Sequence, residues 1–214
     1  MNSKKRLLLI VLMLLLLIGG ASALYAKMSE GMGTQNLSTV PAASPQSQEV
    51  VETKKEAEID PASEDSQQTE KVMAPNFKVT DIDGNEVELY DYLGKPTVVN
   101  FWASWCGYCK LEMPDFEEAY KKYGEEVNFL MVNLTDGYRE TLEIASEYIA
   151  EQGYTFPVLY DTFQDAAYNY GVYSLPITFF IDAEGNGIAQ ASGAIDLATL
   201  ELGIDMIREQ SGES

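Results

Sequence analysis

Apolar and polar positions along residues 74–211 alternate between the period of strands and the period of helices. Runs rich in β-branched and aromatic residues, bounded by turn residues, are typical of buried strands. They predict strands at Thr97–Phe101, Val127–Asn133, Ile177–Ile181 and Gly187–Ser192. Upstream, Asp83-Gly84-Asn85 is a hairpin turn signal, so two further short strands are predicted within Phe77–Leu89.

Apolar residues at helical spacing occupy the intervals between these strands. Each such stretch ends at a glycine or begins at a capping residue, as helices commonly do. The predicted helices are Cys106–Tyr123, Tyr138–Gln152, Asp165–Tyr170 and a last helix that Asp196 caps. Strands that alternate with helices, followed by a hairpin and a helix, indicate an α/β sandwich with a mixed central sheet.

The N-terminal segment, residues 1–26, has the layout of a secretory signal or of a membrane anchor. Basic residues within Met1–Arg6 precede an apolar run from Leu7 to Ile18, and Ala21-Ser22-Ala23 matches a cleavage site. The uncharged stretch is also long enough to span a bilayer of about 30 Å. We therefore expect export, with cleavage and anchoring both open, and the basic residues place the bulk of the chain outside the cytoplasm.

Composition separates a linker from a folded domain. Residues 27–73 consist largely of Ser, Thr, Gln, Glu, Ala and Pro and contain few large apolar residues. Such a segment cannot bury enough surface to offset its ordering entropy, which predicts a disordered acidic linker. Residues 74–211 then have the length of one domain. The formal net charge of −20 at pH 7 argues against nucleic acid as a partner.

The candidate chemistry lies in Cys106 and Cys109, the only cysteines of the chain. No further cysteine is present for a disulfide framework, and no histidine is present for zinc, which usually takes four Cys or His ligands. We therefore expect a redox dithiol and no metal, with a small structural disulfide as the alternative. Cys106 stands at a helix N-terminus, which favours a thiolate, so it is the predicted nucleophile. Cys109, one turn later, is the predicted resolving thiol.

The segment around the two cysteines carries further motifs. Phe101–Lys110 resembles the active-site segment of the thioredoxin superfamily, and Cys109–Pro114 matches the C-x-x-E-x-P extension of its exported TlpA/ResA branch. The leading hairpin and the inserted Arg139–Asp161 stretch are also similar to that branch. The resemblance spans roughly 74–209. It implies a thioredoxin-like sandwich, with a mixed central sheet and flanking helices, an N-terminal β-hairpin and an inserted helical segment.

The same resemblance implies roles for residues outside the cysteine pair. Pro176 corresponds to the family's cis-proline beside the cysteines, and Ser174 and Leu175 would shape the substrate groove. Glu112 lies three residues after the second cysteine, where a buried carboxyl would transfer protons or tune the thiol pKa values. A solvated helix glutamate is the alternative. Trp105 is expected to flank the nucleophile, and a role in packing alone stays open.

The branch implies a thiol–disulfide oxidoreductase that acts outside the cytoplasm. The expected reaction is the reduction of disulfides in exported proteins, and family substrates include apocytochrome c and methionine sulfoxide reductase. An integral-membrane thiol donor of the CcdA type would restore the dithiol. No cofactor is expected, because the cysteines themselves carry the electrons.

One departure from the branch leaves the direction of electron flow open. The branch usually has proline before the second cysteine, where this chain has Tyr108, and Gly107-Tyr108 resembles the dipeptide of the disulfide isomerase DsbC. The intervening dipeptide influences the reduction potential, so oxidase and isomerase are alternatives to reductase. A membrane-tethered redox sensor without turnover is a further alternative. The linker does not resemble the dimerisation domain of such isomerases, and we expect a monomer.

Overall fold

The centre of the fold is β4 (Thr97–Trp102), a strand in which all six residues are buried. Its β-branched and aromatic composition fits this position, because both faces of the sheet are covered there. Its side chains alternate between two apolar clusters: Val98 and Trp102 belong to one, and Val99 and Phe101 belong to the other. The strand that leads to the cysteines is therefore held from both sides.

The computed structural model describes residues 37–39 and 71–210, the first range by its backbone alone. The other strands are β1 (Leu37–Thr39), β2 (Lys78–Thr80), β3 (Glu86–Glu88), β5 (Asn128–Asn133), β6 (Val158–Tyr160), β7 (Ile177–Ile181) and β8 (Gly187–Ser192). They form one sheet in the order β1-β8-β7-β4-β5-β6-β2-β3. Strand β4 pairs in parallel with β5 and antiparallel with β7, so the sheet is mixed as predicted.

Helices lie on both faces of this sheet. They are α1 (Gly107–Tyr123), α2 (Leu142–Gln152), α3 (Asp165–Asn169) and α4 (Leu197–Gln210), with a short 3-10 helix at Leu89–Tyr92. Helices α1 and α4 share one apolar cluster, and a Cβ at Gly203 of α4 would overlap with the Phe180 ring. Helix α4 therefore approaches β7 closely. Within the described residues no helix is long and apolar enough to cross a membrane, and residues 1–26 lie outside them.

Most predicted elements are confirmed, and the differences concern short segments. Strand β6 is absent from the prediction because three residues leave too short a pattern to recognise. The helix predicted from Tyr138 is wrong at its start. It begins at Leu142, where the Thr141 hydroxyl accepts a hydrogen bond from the Ile144 N–H at 3.3 Å. The Asp136 carboxylate accepts hydrogen bonds from the amides of residues 138–140 and holds them in a turn instead.

The chain enters the domain slightly before the predicted boundary at residue 74. The Lys71 ammonium lies 3.3 Å from the Asp182 carboxylate, and the Val72 carbonyl accepts a hydrogen bond from the Gly187 N–H at 2.9 Å. Within the predicted linker, β1 pairs antiparallel with β8 and forms the edge of the sheet on that side. This strand departs from the predicted disorder. The composition gives no sign of it, because an exposed strand edge recruits a partner through backbone groups alone.

Candidate active site

The two cysteines lie where β4 passes into α1, as predicted. Cys106 is the N-cap of the helix, and its sulfur accepts a hydrogen bond from the Cys109 N–H at 3.1 Å. The two sulfurs are joined in a disulfide. Cys106 keeps 6% of its surface exposed and Cys109 none. Of the two residues only Cys106 can therefore be reached from solvent, and the first-turn amides and the helix dipole would stabilise its sulfur as a thiolate.

Glu112 lies one turn beyond Cys109 and is only 1% exposed. Its Oε1 accepts a hydrogen bond from the Asn100 Nδ2 at 2.8 Å, and its Oε2 accepts one from the Ile195 N–H at 3.0 Å. Burial raises the pKa of Glu112 to about 8, because the charged form loses its solvation. The alternative of a solvated glutamate is therefore wrong, and the side chain holds an exchangeable proton near neutral pH.

The Asn100 amide joins this carboxyl to the neighbouring strand. The same Nδ2 group donates a hydrogen bond to the Thr178 Oγ1 at 3.0 Å, and Asn100 and Thr178 are direct partners across β4 and β7. The amide oxygen of Asn100 has no hydrogen-bond partner among the described residues. Neither residue is a predicted site residue. The one signal in the sequence is a polar asparagine within an otherwise apolar, buried strand.

The peptide bond between Leu175 and Pro176 is cis, as predicted. Ile177 pairs with Phe101, so the proline lies beside the end of β4 that leads to the cysteines. Pro176 is buried, its carbonyl accepts a hydrogen bond from the Gly193 N–H at 2.9 Å, and Leu175 packs against both apolar clusters. Ser174 is exposed at the start of this segment.

The turn before Cys106 is held by the inserted segment. The buried Glu140 carboxylate accepts hydrogen bonds from the backbone N–H of Ser104 at 2.7 Å and from its hydroxyl at 2.6 Å. Asn133 donates a third hydrogen bond, at 2.7 Å. Trp105 is 43% exposed, and the Arg139 guanidinium carbon lies 3.8 Å from its ring centroid. The sequence prediction of the inserted segment is correct, but the role of its glutamate in positioning this turn is not evident from the sequence.

Among residues 71–210, cysteine and carboxylate side chains form no cluster of three that would hold a metal ion. The groups that remain suited to chemistry are two sulfurs that form and break a bond with each other and a buried carboxyl nearby. Together they can pass two electrons to another disulfide, and the carboxyl can hold one of the two protons that accompany them.

Residues 71–188 match the model of the AhpC/TSA family. The chain belongs to the AhpC/TSA family. The thiol–disulfide oxidoreductase ResA of Bacillus thuringiensis (strain Al Hakam) is 39% identical over 120 residues, which cover 56% of this chain and 68% of that protein. ResA of Bacillus subtilis (strain 168) is 32% identical over 142 residues, covering 65% and 77%. The solved exposed lipoprotein thioredoxin of Streptococcus pneumoniae is 31% identical, with a TM-score of 0.52, and covers 63% of this chain and 99% of that one.

These matches bear on both the fold and the activity. The thioredoxin-like fold and the resemblance to the ResA branch are confirmed. This member of the AhpC/TSA family is a thiol–disulfide oxidoreductase.

Proposed function

We propose that this oxidoreductase acts outside the cytoplasm and reduces disulfides of exported proteins through Cys106 and Cys109. The observation that carries the proposal is the unequal exposure of the two cysteines at the start of α1. Cys106 is 6% exposed and lies at the N-cap, whereas Cys109 is fully buried behind it. A substrate sulfur can therefore meet only Cys106, and the buried thiol is left to complete the exchange.

The reaction conserves electrons between the two disulfides. The Cys106 thiolate attacks one substrate sulfur, forms a mixed disulfide and releases the other substrate sulfur as a thiolate. Cys109 then attacks Cys106, which breaks the mixed disulfide and forms the intramolecular one. The substrate leaves with two thiols, having gained two electrons from the cysteine pair. One of its two protons balances the proton that the Cys109 thiol gives up, and the other comes from solvent.

Glu112 is the proposed proton acceptor for the second attack. A thiol must lose its proton before it can act as a nucleophile. The pKa of Glu112 is raised by burial to about 8, close to the usual range of a thiol, so the proton can pass in either direction without a large difference in free energy. Because Cys109 and Glu112 are both buried, solvent water does not replace Glu112 as the acceptor of this proton.

The segment before β7 is the proposed binding site for the substrate chain. Pro176 has no N–H, and Ser174 is exposed beside it, so the backbone next to the cysteines can pair with an extended substrate segment. Leu175 and the half-exposed Trp105 would contribute apolar contact on either side of Cys106. A role of Trp105 in packing alone is less favoured by its exposure.

The proposed location and partners follow from the relatives and from the N-terminal segment. A protein that is 31% identical is an exposed lipoprotein thioredoxin, and residues 1–26 predict export or anchoring. Outside the cytoplasm the oxidised pair would need electrons from across the membrane, for which a CcdA-type thiol donor is proposed. Apocytochrome c and methionine sulfoxide reductase are proposed as substrates.

The reduction potential of the cysteine pair distinguishes reductase from oxidase. Proteins of this kind span roughly −270 mV for reductants to −120 mV for oxidants. We expect a value near the reducing end. A value near the oxidising end would instead favour the oxidase alternative that Tyr108 raises, and it would contradict the proposed direction.

Trapping of the mixed disulfide tests the catalytic roles. Cys109→Ser in the full chain leaves Cys106 free to attack but removes the resolving thiol. It is expected to accumulate a covalent complex with a disulfide-containing exported protein, and dithiothreitol is expected to cleave this complex by reduction. The matched Cys106→Ser variant is expected to trap none. If neither variant forms a complex and the wild-type protein reduces no protein disulfide, the redox-sensor alternative replaces the enzyme.

A further inference from the structure

The buried polar network behind the cysteines contains one acceptor without a partner. Asn100 is fully buried, and its Nδ2 donates hydrogen bonds to the Glu112 Oε1 at 2.8 Å and to the Thr178 Oγ1 at 3.0 Å. Its Oδ1 has no partner among the described residues. Buried amide oxygens are nearly always hydrogen-bonded, so the orientation of this amide is the point of the network that needs an explanation.

The contacts of Glu112 fit the ionised form of its carboxyl group. Both groups that contact it, the Asn100 amide and the Ile195 N–H at 3.0 Å, are donors. A carboxylate accepts from both, but a protonated carboxyl also has a proton to donate. Because burial raises the pKa of Glu112 to about 8, both forms are present near neutral pH: the ionised form can take up a proton, and the protonated form needs an acceptor.

Half a turn of the Asn100 amide supplies this acceptor. Rotation about the last side-chain torsion exchanges Nδ2 and Oδ1 and leaves the shape of the group unchanged. The oxygen then faces Glu112 and Thr178, and each of these can donate a proton from an O–H group. Both hydrogen bonds are kept with donor and acceptor exchanged, and besides the amide only the Thr178 hydroxyl hydrogen has to turn. The cost is that the two N–H groups take the position of Oδ1, which has no partner among the described residues.

We propose that Asn100 is a positioning residue for Glu112, and that its side-chain amide reverses each time Glu112 gains or loses a proton. The inference rests on the proposed function, in which Glu112 takes the proton of Cys109 as that sulfur attacks Cys106. The reversed amide then holds the proton on Glu112 through a hydrogen bond to Oδ1. When the proton leaves, the amide returns and donates to the carboxylate.

Few charged groups lie on the elements around Glu112, where they could alter its protonation. On its own helix Glu112 has Cys109 and Asp115 as neighbours. Burial is the main cause of the raised pKa of Glu112; the hydrogen bonds from Ile195 and Asn100 lower this pKa, and the charge of Asp115 raises it. The strands β4, β7 and β8 carry no charged side chains, and the segment before α4 carries Asp196. The amide of Asn100 is therefore the neutral group in direct contact that can adapt to either form.

An NMR titration of the oxidised full-length chain, labelled with ¹³C and ¹⁵N in detergent micelles, tests the inference. In the ionised form the Asn100 NH₂ protons lie beside Thr178, so their nuclear Overhauser contacts with its methyl group are expected to be strong. We expect these contacts to weaken as pH falls, with the same midpoint as the carboxyl carbon of Glu112. Unchanged contacts while Glu112 titrates would overturn the inference.

The same spectra contain a matched control. Asn133 is also a buried asparagine that donates to a glutamate, the Glu140 Oε1 at 2.7 Å. Its Oδ1, however, accepts a hydrogen bond from the Thr135 hydroxyl at 2.8 Å. Both ends of this amide are paired, so its contacts are expected to stay constant over the same pH range. A parallel change at Asn133 would indicate a general structural transition and count against the inference.

A variant separates the inference from the proposed function. Asn100→Leu has a similar volume but removes the hydrogen bond from both forms of Glu112. A fixed donor favours the carboxylate alone, so its loss would raise the pKa of Glu112 by about one to two pH units. An amide that reverses favours both forms, so we expect a smaller rise, and a rise of the full size would count against the inference. If wild-type turnover persists without amide reversal, the inference fails and the enzyme stands. If Cys109→Ser traps no mixed disulfide, the proposed function itself fails.

Discussion

The buried carboxyl of Glu112 makes the stability of the fold depend on pH, and Glu112→Gln is expected to remove that dependence. The side chain is 1% exposed, and its pKa rises from 4.5 to about 8, chiefly because burial disfavours the charged form. Between these two pH values the folded protein binds a proton that the unfolded chain has released. The free energy of unfolding therefore falls as pH rises through this range.

The size of the effect follows from the two pKa values. A difference of one pKa unit corresponds to about 1.36 kcal/mol. The rise from 4.5 to about 8 then amounts to a loss of about 5 kcal/mol of unfolding free energy between the two pH values. Glutamine has the shape of glutamate and an oxygen for the Asn100 amide, but it does not ionise. The unfolding free energy of the Glu112→Gln variant is therefore expected not to show this fall with pH.

Urea unfolding of both oxidised proteins between pH 5 and pH 9 measures the effect. Other buried acids, such as Asp161, whose pKa is also raised by burial, contribute equally to both proteins. The difference between the two stability curves therefore isolates Glu112, and we expect it to grow steadily in favour of the variant up to about pH 8. A difference that stays constant with pH would refute the reasoning.

The remaining predictions concern packing near the active site. Glu140→Ala removes the acceptor of both hydrogen bonds from Ser104, and the unpaired buried donors are expected to cost about 3–5 kcal/mol of unfolding free energy. The exposed Glu147→Ala is its control, with an expected change within about 0.5 kcal/mol. Gly203→Ala forces a methyl group against Phe180 and is expected to cost about 1–3 kcal/mol. The midpoint of denaturant unfolding measures each change. Equal midpoints for Glu140→Ala and Glu147→Ala would contradict the stabilising role of Glu140, and an unchanged midpoint for Gly203→Ala would contradict the close packing against Phe180.

Local patterns in the sequence reach the cysteine motif but not the network behind it. The strand-to-helix junction that carries Cys106 is a continuous segment, so its pattern of residues predicts it directly. Asn100 and Thr178 are separated by 78 positions, and only the antiparallel register of β4 and β7 brings them together. No spacing rule relates such a pair, because the contact depends on how distant strands align.

Burial is the second quantity that the sequence leaves open. The spacing of Glu112 from the cysteines predicts that it lies on the same side of α1, but a glutamate in a helix is usually solvated. What decides the matter is the packing of the segment before α4, where the Ile195 N–H meets its carboxylate. Likewise the inserted segment is recognisable, whereas the contact of Glu140 with Ser104 joins residues 36 positions apart.

The place where the chain enters the domain has a consequence for access to the dithiol. Residues 71–73 meet the turn between β7 and β8, which lies next to Thr97 at the start of β4. The cysteines follow the other end of this strand, and six residues of strand span about 20 Å. Residues 71–73 and the dithiol thus lie beyond opposite ends of β4. A large partner protein can therefore approach Cys106 without contacting residues 71–73.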